Sequence, residues 1–310
     1  MVGDERSLIP VICGPTAAGK SVIALWLAQR LPATIIVADS RQIYRGFDIG
    51  TAKPTAEEQV AVPHRGIDLV EPHQRYSAAA WAAHANGWID EARAAGRIPL
   101  VVGGTGFYLR ALFEPLFEEP QLDAAKRRSL EGLLAPVSLD ELQRWCSVLD
   151  PDRAHLGRTQ LLRAIEVALL TGQRLSTLHR ERARTARRVA RYLVVDPGPA
   201  LAGRIATRLD AMLTGGWVEE VRRLSQDVPS EAPAWNATGY RALRALARGE
   251  ISAVRAREQI LIATRQYAKR QRTWFRHQLD ERDVTLLDPS RENATVLAER
   301  WLRESRGRLA

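Results

Sequence analysis

Apolar residues in the first third of the chain fall into short runs, separated by segments with helical spacing. "LIPVIC" (8–13), "TIIVAD" (34–39) and "IPLVVGG" (98–104) are continuous runs of strand length, and "GIDLV" (66–70) is a weaker one. Short unbroken apolar runs bounded by turn residues suit strands buried on both faces. Between them, helical spacing covers about 20–31. Ser77 stands as N-cap before a long alanine-rich helix that Gly96 ends, and another helix starts near Thr105. Strands alternating with helices predict an α/β class with a parallel sheet.

The pattern changes after residue 113. From 114 to 184 the spacing is helical throughout. Ser138 and Glu141 form a possible capping box before Leu139, Leu142, Cys146 and Leu149, which share one helical face. Asp150-Pro151 stops that helix, and a second runs through "TQLLRAIEVALLTG" to Gly172. This segment reads as a helical insertion. Strand character resumes at 189–197, and helices fill the remainder, with Leu201, Ile205, Leu209 and Met212 on one face. The expected organisation is a first core part (1–113), a helical insertion (114–184), and core completion with a helical C-terminal region (185–310).

The chain has 310 residues, 45% of them hydrophobic, which suits a globular core. No apolar run approaches the ~18 residues of a membrane span, so no membrane partner is expected. The N-terminus lacks the regions of a signal peptide, and two cysteines, Cys13 and Cys146, make no disulfide framework or metal knuckle. A cytoplasmic monomer with buried thiols is expected. The net charge of +9 fits a nucleic-acid partner or a basic surface without one; composition does not separate the two. Only Lys20, Lys53, Lys126 and Lys269 are lysines among 45 basic residues. Guanidinium planes stack on bases and grip phosphates bidentately, which suits RNA.

The sharpest chemical signal is Gly14-Pro15-Thr16-Ala17-Ala18-Gly19-Lys20-Ser21. It fits G-x-x-x-x-G-K-[ST], a loop whose backbone N–H groups hold phosphates. Lys20 is placed on the phosphate oxygens and Ser21 on a Mg²⁺ ion, which usually bridges phosphates and keeps several waters. Such loops commonly bind ATP or GTP. A motor or switch also needs a carboxylate ending a later strand, and "IPLVVGG" has none. The candidate acid is Asp39, at the end of the second strand, where an open α/β sheet faces its ligand. Asp39 either caps the next turn or takes a proton from a nucleophile beside the bound diphosphate. The second alternative points to a transferase whose diphosphate is the leaving group.

"GPTAAGKS", "ADSRQIYRGFDIGTAKP", "PHRGIDLVEP", "GRIPLVVGGTGFYLRAL", "LLRAIEV" and "ATRQYAKRQRTWFR" follow one another in order. Together they resemble the tRNA dimethylallyltransferases over nearly the whole chain. The resemblance implies a P-loop-kinase-like core whose helical insertion grips a tRNA anticodon stem-loop. It also implies transfer of a dimethylallyl group from dimethylallyl diphosphate to N6 of the adenosine 3′ of the anticodon. Asp39 is then the general base. Thr16 and Lys20 contact the diphosphate, Ser21 the Mg²⁺, and Arg208 the departing diphosphate. Ser40, Arg41 and Gln42 lie in the same tRNA-contacting block as Asp39, and Thr105 lies near the target nucleotide. Arg127 and the block Thr159, Gln160, Leu161, Leu162, Arg163 match tRNA contacts of the insertion. The chain departs from the family pattern at Thr159, Phe107 and Ala242, which bears on local RNA contacts rather than on catalysis.

Arg265, Lys269, Arg272 and Arg276 recur every three to four residues and form one stripe, either a solvated face or a phosphate-contacting one. Tyr267 and Trp274 fall on another face and are expected to pack. The histidines show no metal-ligand spacing, and Trp81, Trp88 and Trp145 are expected in the core. Two rivals remain: a P-loop kinase of small metabolites, and an RNA-binding protein holding a nucleotide structurally.

Overall fold

The computed structural model describes residues 7–114, 122–181 and 188–307. The chain divides into two compact units, one formed by 1–113 and 187–310, the other by 114–186.

The first unit is built on six parallel strands: β1 (Ser7–Cys13), β2 (Ala33–Val37), β3 (His64–Arg65), β4 (Ile98–Gly103), β5 (Arg188–Val195) and β6 (Val284–Leu287). Their order is β3-β2-β4-β1-β5-β6. Every residue of β2 and β4 is buried, as unbroken apolar runs require of strands covered on both faces. Ile12, Ile35, Val37, Leu100, Val102, Leu193 and Val195 pack with α1 (Lys20–Ala28) and α13 (Ala294–Gly307). α3 (Ala78–Ala94) packs on β2 and β4, and its Trp81 is fully buried with the indole N–H donating to Val37 O at 3.1 Å. Ser77 caps α3 by accepting from Ala80 N. α2 (Ala56–Ala61) leads into β3, and α4 (Gly106–Phe113) follows β4. After β5 come α9 (Leu201–Thr214), α10 (Trp217–Asp227), α11 (Tyr240–Ala247) and the 26-residue α12 (Ala253–Gln278).

Two elements differ from the sequence expectation. The third strand is His64–Arg65 rather than 66–70. Gly66 has φ +89° and Asp68 φ +51°, so the backbone turns where an extended run was expected, and only Val70 makes a bridge, to Tyr44. β6 lies in a region read as helical. It is a four-residue edge strand with an exposed centre, too short to leave a periodic signal.

The second unit holds α5 (Ala124–Leu134), α6 (Leu139–Leu149), α7 (Arg158–Thr171) and α8 (Leu175–Glu181). Its core gathers Leu134, Leu142, Cys146, Leu161, Ala164 and Ile165. Leu139 lies outside that core and is exposed, as is Trp145 at 43%; neither is the core residue its position suggested. Ser138 accepts from Glu141 N, which stops the helix fraying at its first turn.

Candidate active site

The loop between β1 and α1 leaves the C-terminal edge of the sheet, where the strand order places the two central crossovers. Gly14 is required by contact as well as by conformation: a Cβ there would sit 2.2 Å from Val195 O, at the end of neighbouring β5. Ala17 (φ +60°) and Gly19 (φ +98°) also take left-handed backbone conformations, as a tightly curled loop requires. Lys20 opens α1 and folds back over the loop, donating from Nζ to Pro15 O at 2.7 Å. Thr16, Ala17, Lys20 and Ser21 all line one cavity of about 170 Å³.

Asp39, Arg41 and Gln42 line the same cavity from the end of β2, and Arg208 lines it from α9. Burial pushes the Lys20 ammonium down to about 8; the charge of Arg208 adds to this, while Asp39 and Cys13 oppose it. Burial likewise lowers Arg208, against the pull of Asp39. The Cys13 thiol beneath the loop is pushed up by burial and is an inert core group. Three cations, Lys20, Arg41 and Arg208, and two carboxylates, Asp39 and Glu58, thus line a single space with an excess of positive charge, suited to a polyanion.

Asp39 caps the next turn, one of the two alternatives its position offered. Its Oδ1 accepts from Arg41 N at 2.8 Å, which caps the turn, while its charge is felt at Lys20, Arg208 and Tyr267. Thr105 braces that turn: its N donates to Ala38 O at 3.2 Å, and its Oγ1 accepts from Ser40 N at 3.0 Å. Ser40 Oγ accepts from Thr105 Oγ1 at 3.4 Å. Tyr267 of α12 lines the cavity; burial pushes its hydroxyl up to about 12, so it stays protonated and neutral. Tyr267 therefore belongs to the site and not merely to packing. Gln42 is buried, and its Nε2 donates to Thr51 O and Ala52 O at 3.0 and 3.1 Å, which shapes the wall.

Gln271 was not singled out by the sequence pattern. It is 7% exposed, accepts from Thr16 N through Oε1 at 2.8 Å, and donates from Nε2 to Gly104 O at 2.8 Å. A Cβ at Gly104 would lie 2.4 Å from that Nε2, which explains the second glycine of "IPLVVGG". Of the expected cationic stripe, Arg272 is committed elsewhere: its Nε donates to Asp196 Oδ2 at 2.8 Å and its Nη2 to Gly198 O at 2.6 Å. Arg265, Lys269 and Arg276 remain exposed. Trp274 packs over Gly106, where a Cβ would meet its ring at 2.3 Å.

In the second unit, Arg127 Nε donates to the buried Glu166 Oε1 at 2.6 Å, and Arg163 pairs with the other oxygen of Glu166. Thr159 and Gln160 are exposed at the start of α7. Leu161 is fully buried in the unit's core and Leu162 packs against it, so these two side chains are structural rather than presented to RNA.

Oxygen donors that suit Mg²⁺ are present in the cavity, the Ser21 hydroxyl and the Asp39 carboxylate. Among the described residues no group of three or more His, Cys, Asp or Glu forms a cage of its own.

Fold and site together define a P-loop α/β protein with a cationic phosphate cavity and a carboxylate on the strand beside the loop. Family models described as IPP transferase and isopentenyl transferase match residues 42–278 and 8–65. The tRNA dimethylallyltransferase of Bordetella petrii is 44% identical, covering 88% of this chain and 91% of its own, and that of Ralstonia pickettii is 42% identical, covering 93% and 94%. The crystal structure of the tRNA isopentenylpyrophosphate transferase of Bacillus halodurans superposes with TM-score 0.70 at 29% identity, covering 98% of each chain. A eukaryotic dimethylallyltransferase acting on tRNA gives TM-score 0.77 at 26% identity, covering 94% of this chain and 77% of its own. The chain belongs to the IPP transferase family.

Proposed function

We propose that this protein transfers a dimethylallyl group from dimethylallyl diphosphate to N6 of the adenosine 3′-adjacent to the anticodon, in tRNAs reading codons that begin with U. The observation that carries this reading is the shared cavity of Thr16, Lys20, Asp39 and Arg208, with no carboxylate ending β4. The loop holds the diphosphate by its amides and Lys20. An exocyclic adenine amine is a weak nucleophile, so it must be placed against the allylic carbon and relieved of its proton. Its nitrogen bonds to C1 of the donor while the C1–O bond breaks and its electron pair leaves on the diphosphate. The departing N6 proton goes to Asp39. Lys20 and Arg208 stabilise the charge that grows on the leaving group, a preorganised electrostatic effect of the kind that is usually largest in catalysis. Ser21 would help hold Mg²⁺, which would supply further charge neutralisation.

Thr105, Ser40 and Tyr267 line the approach of the flipped base, and the 114–186 unit supplies tRNA contacts through Thr159, Gln160 and its arginines. Extruding a base from a loop costs less than the few kcal/mol needed in a duplex. Among the described residues no helix is long and apolar enough to cross a membrane. The proposed tRNA substrate is what favours a cytoplasmic location.

The test incubates the protein with Mg²⁺, dimethylallyl diphosphate and unmodified tRNA, then weighs the nucleosides by mass spectrometry. An isopentenyl mass gain on adenosine is expected. Turnover that instead requires ATP identifies a kinase, and RNA binding without any modification identifies a binding protein.

A further inference from the structure

The loop sequence by itself admits a di- or a triphosphate. Its amides, counted one by one, are fewer than the motif suggests. Pro15 has no N–H. Ala18 N donates to Pro15 O at 3.3 Å, inside the loop. Thr16 N is held by Gln271 Oε1 at 2.8 Å. From Thr16 to Ser21, what remains is Ala17 and the amides at the start of α1, Gly19 to Ser21, which have no intrahelical acceptor.

Gln271 is not free to yield the Thr16 amide. Its other end donates to Gly104 O at 2.8 Å, and both partners fix which end is oxygen. The side chain is buried, so releasing it would leave a donor and two acceptors unsatisfied. Its neighbour Arg272 ties the same turn of α12 to Asp196 and Gly198 O, which keeps the helix in register over the loop. The amide oxygen therefore lies at the Thr16 end of the cavity, where it takes a donor away and adds an acceptor that repels phosphate oxygens.

We propose that Gln271 is a specificity-determining residue that shortens the phosphate run of this loop, making it select a diphosphate over a triphosphate. The proposal deepens the reading above and rests on the cavity being a diphosphate site. A side chain from the last long helix thus edits a motif shared with ATP-binding folds.

Titration calorimetry with inorganic pyrophosphate and inorganic tripolyphosphate, each with Mg²⁺, tests it. Wild type is expected to favour pyrophosphate by about tenfold or more, the worth of about one charge-assisted hydrogen bond. Gln271→Ala is expected to reduce that ratio severalfold by gaining tripolyphosphate affinity. Gln271→Asn, which withdraws the amide by one methylene, should move the ratio the same way if the alanine variant does not fold. A merely structural clamp would lower the melting temperature and leave the ratio unchanged. An unchanged ratio in a folded variant, or no preference in wild type, overturns the proposal. The transfer assay on wild type is run beside it. Selectivity without transfer sinks the functional reading alone, and transfer without selectivity sinks only the role of Gln271.

Discussion

Asp39 Oδ1 accepts the backbone N–H of Arg41 at 2.8 Å, so one oxygen of the proposed base is also a turn cap. Asp39→Asn keeps that acceptor and removes the basicity. Turnover is expected to fall by about 10²–10⁴-fold, the usual worth of a general base. tRNA affinity and melting temperature should stay near wild type. Equal losses in turnover and tRNA affinity, measured by single-turnover kinetics and filter binding, would make Asp39 a binding residue instead.

The Lys20 ammonium, held down to about 8, predicts a pH limb in donor binding. Its charged form binds the diphosphate, so affinity should be level below pH 8 and fall as pH rises through it. The bound anion favours the charged lysine and moves the limb upward in the complex. For stability the sign is opposite to that of a paired lysine. The native value lies below the unfolded one, so burial of the charge opposes folding below about pH 8, and this penalty fades between there and about pH 10.4. Pyrophosphate titrations across pH 6.5–9.5 check the binding limb, and Lys20→Gln should abolish it.

Arg208 lines the cavity from α9 and is half-buried. Arg208→Ala should raise the donor KM and lower kcat together, because the guanidinium holds charge that grows as the diphosphate leaves. tRNA binding should be largely intact. Unchanged donor kinetics would remove Arg208 from the mechanism.

Within the 114–186 unit, Leu161 and Thr159 are two residues apart but differ in burial. Leu161→Ala is expected to destabilise the protein by about 2–5 kcal/mol through the cavity it leaves. Thr159→Ala should be nearly neutral in thermal melting and, on the functional reading, weaken tRNA binding. The reverse pattern would place the RNA surface on another face of α7.

Glu220 offers a test of the wall beyond the cavity. Its buried carboxylate accepts from Asp48 N at 3.0 Å, Ile49 N at 2.7 Å and the Tyr240 hydroxyl at 2.6 Å. Glu220→Ala strands these three donors, of which the Tyr240 hydroxyl is buried and costs about 1–3 kcal/mol. A drop in melting temperature of several degrees is expected, with donor affinity falling because Gly50 to Ala52 line the cavity.

The local pattern was enough for the elements that speak through it. Unbroken apolar runs marked β1, β2 and β4, because strands buried on both faces need no alternation. Ser77 and Gly96 bounded α3, since caps and left-handed termini have their own chemistry. The phosphate loop was legible for the same reason: its glycines and lysine act on their immediate neighbours. Asp39 was legible by its position after a strand, and the ordered blocks carried the family.

What the tertiary structure alone decided involves partners far apart in the chain. Gln271 meets Thr16 across 255 residues, and no local spacing reports such a contact. Arg272 looked like part of a cationic stripe because periodicity records a face, not what that face meets; Asp196, 76 residues away, makes it structural. Trp145 was expected inside on hydrophobicity alone, yet its helix spends its buried face on Leu142 and Cys146. The loop's sequence pointed to phosphates. How many it can accommodate depends on a glutamine from the opposite end of the chain, because hydrogen-bond capacity is set by every group that reaches the site.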